Sequence, residues 1–115
     1  MDVSYILSAD ELFTLMSLFP NHSEAGKIFV AEALPDAQIC GLDEPIKKEM
    51  AKVYPNGEIE LSPIIRMLTD ALAHASDVRQ TENGWICRSP WVTVKCDVYT
   101  YKEGHYKLTP IKEQH

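Results

Sequence analysis

The chain has 115 residues, which is enough for one domain with its own hydrophobic core. Its 45% apolar and 24% charged residues are typical of a globular protein. The net charge of −6 disfavours nucleic acid as the main partner, because phosphates are bound by clustered lysines and arginines, and here these residues are scattered. An acidic surface could instead favour a basic partner.

Three cysteines are present, and an odd number without close spacing fits neither a zinc ribbon nor a disulfide framework. They are Cys40, Cys87 and Cys96. The first residues lack the basic segment and long apolar run of a secretory signal. No apolar run reaches the roughly 18 residues that a membrane helix needs. These features predict a cytoplasmic protein that does not insert into a membrane.

Two helix starts lie near the amino terminus. Met1–Leu7 is short and apolar, which favours a leading strand or a segment packed on the first helix. Ser8-Ala9-Asp10-Glu11 then has the form of a capping box, and the helix behind it ends at Pro20. Asn21 caps a second helix that ends at Leu34-Pro35, because a residue before proline avoids the helical region.

Gly26 lies inside this second predicted helix. Glycine weakens a helix by roughly 1 kcal/mol relative to alanine. We therefore expect Gly26 to allow a close contact between two helices.

A third helix is predicted in the middle of the chain. It is capped by Asp43, has Pro45 in its first turn and ends at Pro55-Asn56-Gly57. Its predicted buried stripe is Ile46, Met50, Val53 and Tyr54. The next residues, Glu58–Leu61, alternate polar and apolar, which suits a short strand or the arm of a turn.

Ser62-Pro63 is a strong helix start, with serine as the cap and proline in the first turn. The fourth helix then runs to about Ala75. Its apolar positions are Ile64, Leu68, Ala71, Leu72 and Ala75, and Ile65 broadens its apolar face. This helix is the best candidate for the central core helix.

The last third of the chain predicts four antiparallel strands. They are Val78–Glu82, Trp85–Arg88, Trp91–Tyr101 and His105–Thr109. Asn83-Gly84 marks a tight hairpin turn, because asparagine and glycine accept positive φ most easily. Residues 111–115 have no pattern and are expected to form a loose tail. The prediction is a single α+β domain over residues 1–115, with three to four helices followed by a four-stranded antiparallel meander.

The longest predicted strand has two different faces. Its predicted core face is Val92, Val94, Cys96 and Val98, and its half-wet face is Trp91, Thr93, Lys95, Asp97, Tyr99 and Tyr101. Two interpretations of the aromatic residues are open. They pack beneath the helices or at the sheet rim, or they anchor a partner protein, because Trp and Tyr bury much surface area at low entropic cost. The predicted protein-binding residues are Trp91, Lys95, Tyr99, Tyr101 and Tyr106. Stacking on single-stranded nucleic acid is a poorer interpretation because the chain is acidic.

The sequence contains no phosphate-binding glycine loop, no local metal motif and no nucleophile motif. We therefore predict a non-enzymatic protein with no catalytic residues, no cofactor and no metal. The alternative is an enzyme whose site is assembled in space from Cys87, Cys96 and His105, which neighbouring strands carry.

The order of elements from Met50 onward is a helix, an Asn56-Gly57 turn, a short polar arm, the Ser62-Pro63 helix and then strands. Together with the opening Ser8-Ala9-Asp10-Glu11-Leu12-Phe13-Thr14-Leu15, this order resembles one half of the EspG-like chaperones of type VII (ESX) secretion systems. It is also similar to small accessory proteins encoded beside such systems in Gram-positive bacteria. The resemblance implies a cytosolic, non-enzymatic chaperone or adaptor that binds a helical secretion substrate, and it assigns no functional residues.

Two further functions fit the size and the order of elements. One is a winged-helix-like regulator, in which the fourth helix would read DNA with Arg66, Asp70 and His74, a poor set for phosphate or base contacts. The other is a small immunity protein that neutralises a toxin, which is also a protein-binding function. The oligomeric state is left open by the sequence.

Overall fold

The computed structural model describes residues 4–111, in which four helices and seven strands follow one another. The helices are α1 (Ala9–Met16), α2 (Glu24–Ala33), α3 (Asp43–Lys47) and α4 (Pro63–Ala73). The strands are β1 (Tyr5–Ser8), β2 (Ala51–Val53), β3 (Ile59–Leu61), β4 (Asp77–Gln80), β5 (Gly84–Arg88), β6 (Thr93–Val98) and β7 (His105–Ile111). The predicted α+β class is confirmed.

The strands form two antiparallel sheets. The larger sheet has the order β1-β7-β6-β5-β4, and β2 and β3 form a separate pair. The predicted meander is therefore confirmed as β4 to β7, and β1 adds a fifth strand through pairs such as Leu7 with Tyr106. The predicted loose tail is wrong for Ile111, which pairs with Thr93, and residues 112–115 lie outside the described residues, as do residues 1–3.

The first two helices begin at serine caps. At α1 the predicted capping box is confirmed, because Ser8 Oγ accepts the Glu11 N–H at 3.1 Å and a Glu11 carboxylate oxygen accepts the Ser8 N–H at 2.7 Å. At α2 the predicted cap, Asn21, is wrong. Ser23 caps this helix by accepting the Gly26 N–H at 3.0 Å, while Asn21 takes a left-handed turn conformation with φ of 55°.

Gly26 lies where α2 meets the end of α4, as predicted. A Cβ atom at this position would lie 2.3 Å from the Ala73 carbonyl oxygen. That same oxygen accepts the Ser23 N–H at 3.0 Å. The absence of a side chain at Gly26 therefore lets the two helix ends touch through their backbones.

The predicted third helix is wrong at its cap, which is Leu42 and not Asp43, and beyond its first turns. The helix α3 ends at Lys47, Glu49 takes a φ of 59°, and the chain then enters β2. β2 and β3 are joined by a turn in which the Gly57 N–H donates to the Tyr54 carbonyl at 2.9 Å. Val53 and Tyr54, predicted to be buried, are 52% and 42% exposed because they lie on this projecting hairpin.

The helix α4 is the central core helix, as predicted. It packs on α1 and α2 and on the strands β5 and β6. Its fully buried face is Ile65, Leu68, Thr69, Ala71, Leu72 and Ala73, whereas Ile64, predicted to be core, is 40% exposed. Ile65, Leu68 and Leu72 are spaced three and four residues apart, so they share the inner stripe.

The turn predicted at Asn83-Gly84 is displaced by one residue. Gln80 pairs with Trp85, which makes Glu82 and Asn83 the central turn residues and leaves Gly84 in β5. A Cβ atom on Gly84 would lie 2.0 Å from the Cys96 carbonyl oxygen. Glycine is required here for close approach of two strands, and not for positive φ.

His74 joins the end of α4 to the turn between α1 and α2. Its Nδ1 atom lies 2.5 Å from an Asp70 carboxylate oxygen, and its Nε2 atom lies 2.7 Å from the Pro20 carbonyl oxygen. Both partners are acceptors, so only the protonated ring donates to both. The hydrogen bond to Asp70, followed by that to Pro20, raises the pKa of His74 above its usual value.

This raised pKa predicts a pH-dependent stability. Because the folded state binds the proton more tightly, the contribution of His74 is fully present below about pH 6.5, the unfolded value, and is lost as the pH rises through the folded pKa. We expect the free energy of unfolding, measured with urea, to fall between pH 6 and 9 more steeply in the wild type than in His74→Gln. His105→Gln is the matched control, and equal pH slopes in wild type and His74→Gln would contradict the prediction.

Candidate protein-docking face

One face of the five-stranded sheet is covered by helices. Its side chains are buried, and they include Trp85, Cys87, Val94, Cys96 and Leu108. α2 packs on β4 and β5, and α4 packs on β5 and β6. The core of the described residues lies between these helices and this face of the sheet.

The opposite side of the sheet is named here the open face, because none of the three longer helices of the described residues packs on it. Side chains alternate along each strand, so the strand register assigns its members. They are Ile6, Ser8, Asp77, Arg79, Gly84, Ile86, Arg88, Thr93, Lys95, Asp97, His105, Lys107, Thr109 and Ile111. Polar side chains dominate this face, and three isoleucines are spread across it.

The open face differs in charge from the rest of the chain. It carries four basic and two acidic residues, whereas the rest of the chain has seven basic and fifteen acidic residues. A basic face on an acidic protein creates a local potential that attracts negatively charged groups.

Lys95 lies at the middle of β6, the central strand, directly opposite Ile86 on β5 and Thr109 on β7. Its Nζ atom lies 3.5 Å from an oxygen of Asp97, and Lys107 lies opposite Asp97 on β7. The other Asp97 carboxylate oxygen, Oδ1, is shielded from solvent and has no hydrogen-bond partner among the described residues. A shielded carboxylate oxygen without a hydrogen-bond partner is energetically costly.

The predicted binding residues are distributed over both ends of the sheet and both of its faces. Lys95 is at the centre of the open face, while Trp91, 61% exposed, lies in the turn between β5 and β6. Tyr99 and Tyr101 follow the other end of β6, and the six residues of this strand separate its two ends by about 20 Å. The ring centroids of the two tyrosines are 5.5 Å apart. Tyr106 lies on the helix-covered face, where its hydroxyl donates to the Ala33 carbonyl at 2.6 Å.

The two tyrosines border a cavity of about 530 Å³. It lies between the turn that joins β4 to β5 and the segment that joins β6 to β7, and it includes Asp97 and Lys107. Tyr101 is 88% exposed beside it. The end of the open face therefore offers a concave region with an aromatic wall.

Sequence reasoning missed several members of the open face. Arg79 and Ile86 lie on the short strands β4 and β5, where alternation extends over only a few residues. The predicted core residue Val98 is 50% exposed, because β6 extends beyond the helices at that end. The protein-binding role of the five predicted residues stays a prediction.

The structure does not bring Cys87, Cys96 and His105 together. Both thiols are buried on the helix-covered face, and burial raises the pKa of Cys87 to about 12 and that of Cys96 well above its usual value. His105 alternates to the other face of the sheet, with Nδ1 3.0 Å from the Glu103 carbonyl oxygen. A buried protonated thiol without a nearby base is a poor nucleophile.

Two of the three residues expected to read DNA from the fourth helix are engaged within the fold, and the third, Arg66, is exposed beside the hairpin of β2 and β3. Asp70 and His74 bind each other, and His74 also binds the Pro20 carbonyl. Within residues 4–111, we find no group of three or more His, Cys, Asp or Glu side chains placed to hold a metal ion. None of the helices that the structure describes is both long and apolar enough to cross a membrane.

The chain matches no protein-family model, no curated protein and no solved structure.

Proposed function

We propose that the chain is a non-enzymatic, protein-binding adaptor that docks its partner on the open face. The supporting observation is the centre of that face, where Ile86, Lys95 and Thr109 lie side by side and none of the three longer helices of the described residues packs. A solvated face is common in antiparallel sheets. What favours docking is the combination of apolar and cationic side chains on one continuous surface.

The chemistry of the open face favours a partner with acidic and apolar groups. Arg79 and Lys95 flank Ile86 in one row across the sheet, and Lys107 lies in the next row. An apolar partner side chain over Ile86 would bring flanking carboxylates within reach of these cations. Complementary charges of this kind speed encounter and exclude wrong partners more than they add affinity.

A chaperone for a helical substrate of type VII secretion is the specific form of this proposal that the family resemblance implies. It rests on the order of elements, whereas docking on the open face rests on the half-buried side chains at its centre and the exposed cations beside them. An immunity protein would use such a face in the same way, to bind a toxin.

Site-specific photo-cross-linking tests the proposal. Ile86 on the open face and Ile28 on α2, which is 47% exposed, are replaced in turn by p-benzoylphenylalanine, and the protein is irradiated in its host cells. We expect position 86 to give a discrete adduct with another protein. Position 28 is expected to give a yield at least about fivefold lower, because a difference of about 1 kcal/mol in interface energy changes the occupancy of a site by this factor. Equal yields, or an adduct with a second copy of this chain alone, would contradict the proposal.

A further inference from the structure

A second surface lies outside the five-stranded sheet, at the hairpin of β2 and β3. Eleven large apolar side chains of the described residues are exposed, and five of them line two cavities beside this hairpin. These five are Leu18, Ile46, Val53, Tyr54 and Ile59. Clusters of exposed apolar residues are uncommon on monomers and mark interaction sites.

The outer edge of β3 has free backbone groups. The Tyr54 N–H donates to the Glu58 carbonyl at 2.9 Å, and the Ser62 N–H donates to the Met50 carbonyl at 2.8 Å. In an antiparallel pair, hydrogen-bonded positions alternate with non-bonded ones, so the N–H and C=O groups of Ile59 and Leu61 point away from β2. The small sheet contains only β2 and β3 among the described residues, so no strand occupies that side.

A cavity of about 530 Å³ lies along this edge. Four consecutive residues, Glu58–Leu61, line it together with Tyr54, which places the strand edge and the adjoining face of Glu58 and Glu60 against the cavity. The opposite wall is formed by Leu18, Phe19 and Pro20, where α1 leads towards α2, and by Arg66 of α4. An added strand would lie about 4.8 Å from β3, between these two walls.

The side chains of β3 define what such a strand contains. Ile59 and Leu61 share one face of the hairpin with Ala51 and Val53, and Glu60 lies on the other face opposite Lys52. Glu58 falls on the same face as Glu60, whose carboxylate accepts one hydrogen bond from the Tyr54 hydroxyl at 2.5 Å and keeps its remaining acceptor positions. A complementary segment therefore alternates apolar residues, which would pack on Ile59 and Leu61, with basic residues, which would lie beside the two carboxylates.

We propose that the free edge of β3 binds an extended segment of a partner protein, with alternating apolar and basic residues, as a third strand of the hairpin. Main-chain hydrogen bonds to Ile59 and Leu61 give the affinity, and the alternate side chains give the selectivity. This site is separate from the open face and requires a basic segment, whereas the open face requires an acidic surface.

A second copy of the chain does not fit this edge in the symmetric register. Two β3 strands paired antiparallel about their midpoint would place Glu60 opposite Glu60 of the other copy. Like charges at directly opposite positions are destabilising. This register of self-pairing is therefore disfavoured, and self-association through β3 would count against the proposal.

The proposal is tested with a capped heptapeptide of alternating valine and lysine, titrated into the isotopically labelled protein. We expect saturable binding, amide shifts centred on Ile59 and Leu61, and slowed hydrogen exchange at those two amides. A heptapeptide of alternating valine and glutamate is expected to bind at least about tenfold more weakly. No saturation at about 1 mM lysine peptide, or shifts centred on the five-stranded sheet, would overturn the proposal.

Two variants make the test specific to the edge. Ile59→Pro removes the outward N–H of β3 without removing a β2–β3 hydrogen bond, and it is expected to weaken binding by about fivefold to tenfold. Val53→Pro makes the same change on the β2 edge and is expected to leave binding unchanged. Glu60→Lys, which keeps the backbone intact, is expected to reverse the preference from the lysine to the glutamate peptide, and an unchanged preference would overturn the proposal independently.

Discussion

Replacement of Phe29 by alanine is expected to lower the free energy of unfolding by about 3–5 kcal/mol. Phe29 lies on α2 and is completely buried. Its ring meets that of Trp85 edge-on, with centroids 6.0 Å apart, and so joins α2 to β5 of the sheet. The lost stability is the sum of two free energies. One is the gain from removing the ring from water on folding, and the other is the cost of the cavity that the ring leaves behind. Urea unfolding measures it directly.

The neighbouring residue supplies the control for this prediction. Ile28 is 47% exposed on the same helix, so Ile28→Ala changes the helix by one residue without opening the core. We expect it to change the free energy of unfolding by less than about 0.5 kcal/mol. Similar losses in the two variants would mean that α2 is not anchored on the sheet through Phe29.

Gly26→Ala is expected to destabilise the protein by about 1–3 kcal/mol, although helix propensity alone predicts a gain of roughly 1 kcal/mol. The new methyl carbon would be placed 2.3 Å from the Ala73 carbonyl oxygen, which is backbone and cannot rotate away. α2 and α4 would have to separate, and the hydrogen bond from Ser23 to that carbonyl would lengthen.

Gly41→Ala is the matched control for Gly26, because the nearest atom to its new Cβ would be an Asp43 carboxylate oxygen at 3.8 Å. We expect this variant to be neutral or to gain up to about 1 kcal/mol through the unfolded state. A stabilising Gly26→Ala, measured by the same urea titration, would contradict the close contact of the two helices.

The two Asn-Gly pairs show how far local signals determine this fold. Both predict a turn, yet only Gly57 has positive φ, at 89°, while Gly84 lies inside β5. Asn56-Gly57 is flanked by alternating apolar residues in β2 and β3, which is a hairpin signal. The helical spacing of Ile46, Met50 and Val53 instead predicts a helix before this turn. The register at Gly84 is set by the backbone of β6, which no local pattern reports.

The starts of α1 and α4 are easier to predict than the faces of the strands, for a physical reason. The capping box at Ser8 and the proline after Ser62 act within one turn of helix, so sequence alone locates α1 and α4. The placement of Tyr106 depends on which strands become neighbours and where α2 ends, since its hydroxyl binds the Ala33 carbonyl. Contacts this distant in sequence are decided by packing and not by composition.

The two proposed surfaces differ in what they would bind, which lets one fail without the other. The open face offers side chains across five strands, with Lys95 at its centre. The β3 edge offers backbone groups at Ile59 and Leu61. Charge reversal on one surface is therefore expected to leave binding at the other unchanged.

The central claim, that a partner docks on the open face, is tested most directly by the yield of the cross-link from position 86 in two charge-reversed backgrounds. Lys95→Glu reverses a charge at the centre of the open face, and Lys27→Glu makes the same change on α2, where the side chain is 64% exposed. We predict that Lys95→Glu lowers the yield at least about fivefold while Lys27→Glu changes it less than about twofold. Equal yields in the two backgrounds would contradict docking on the open face.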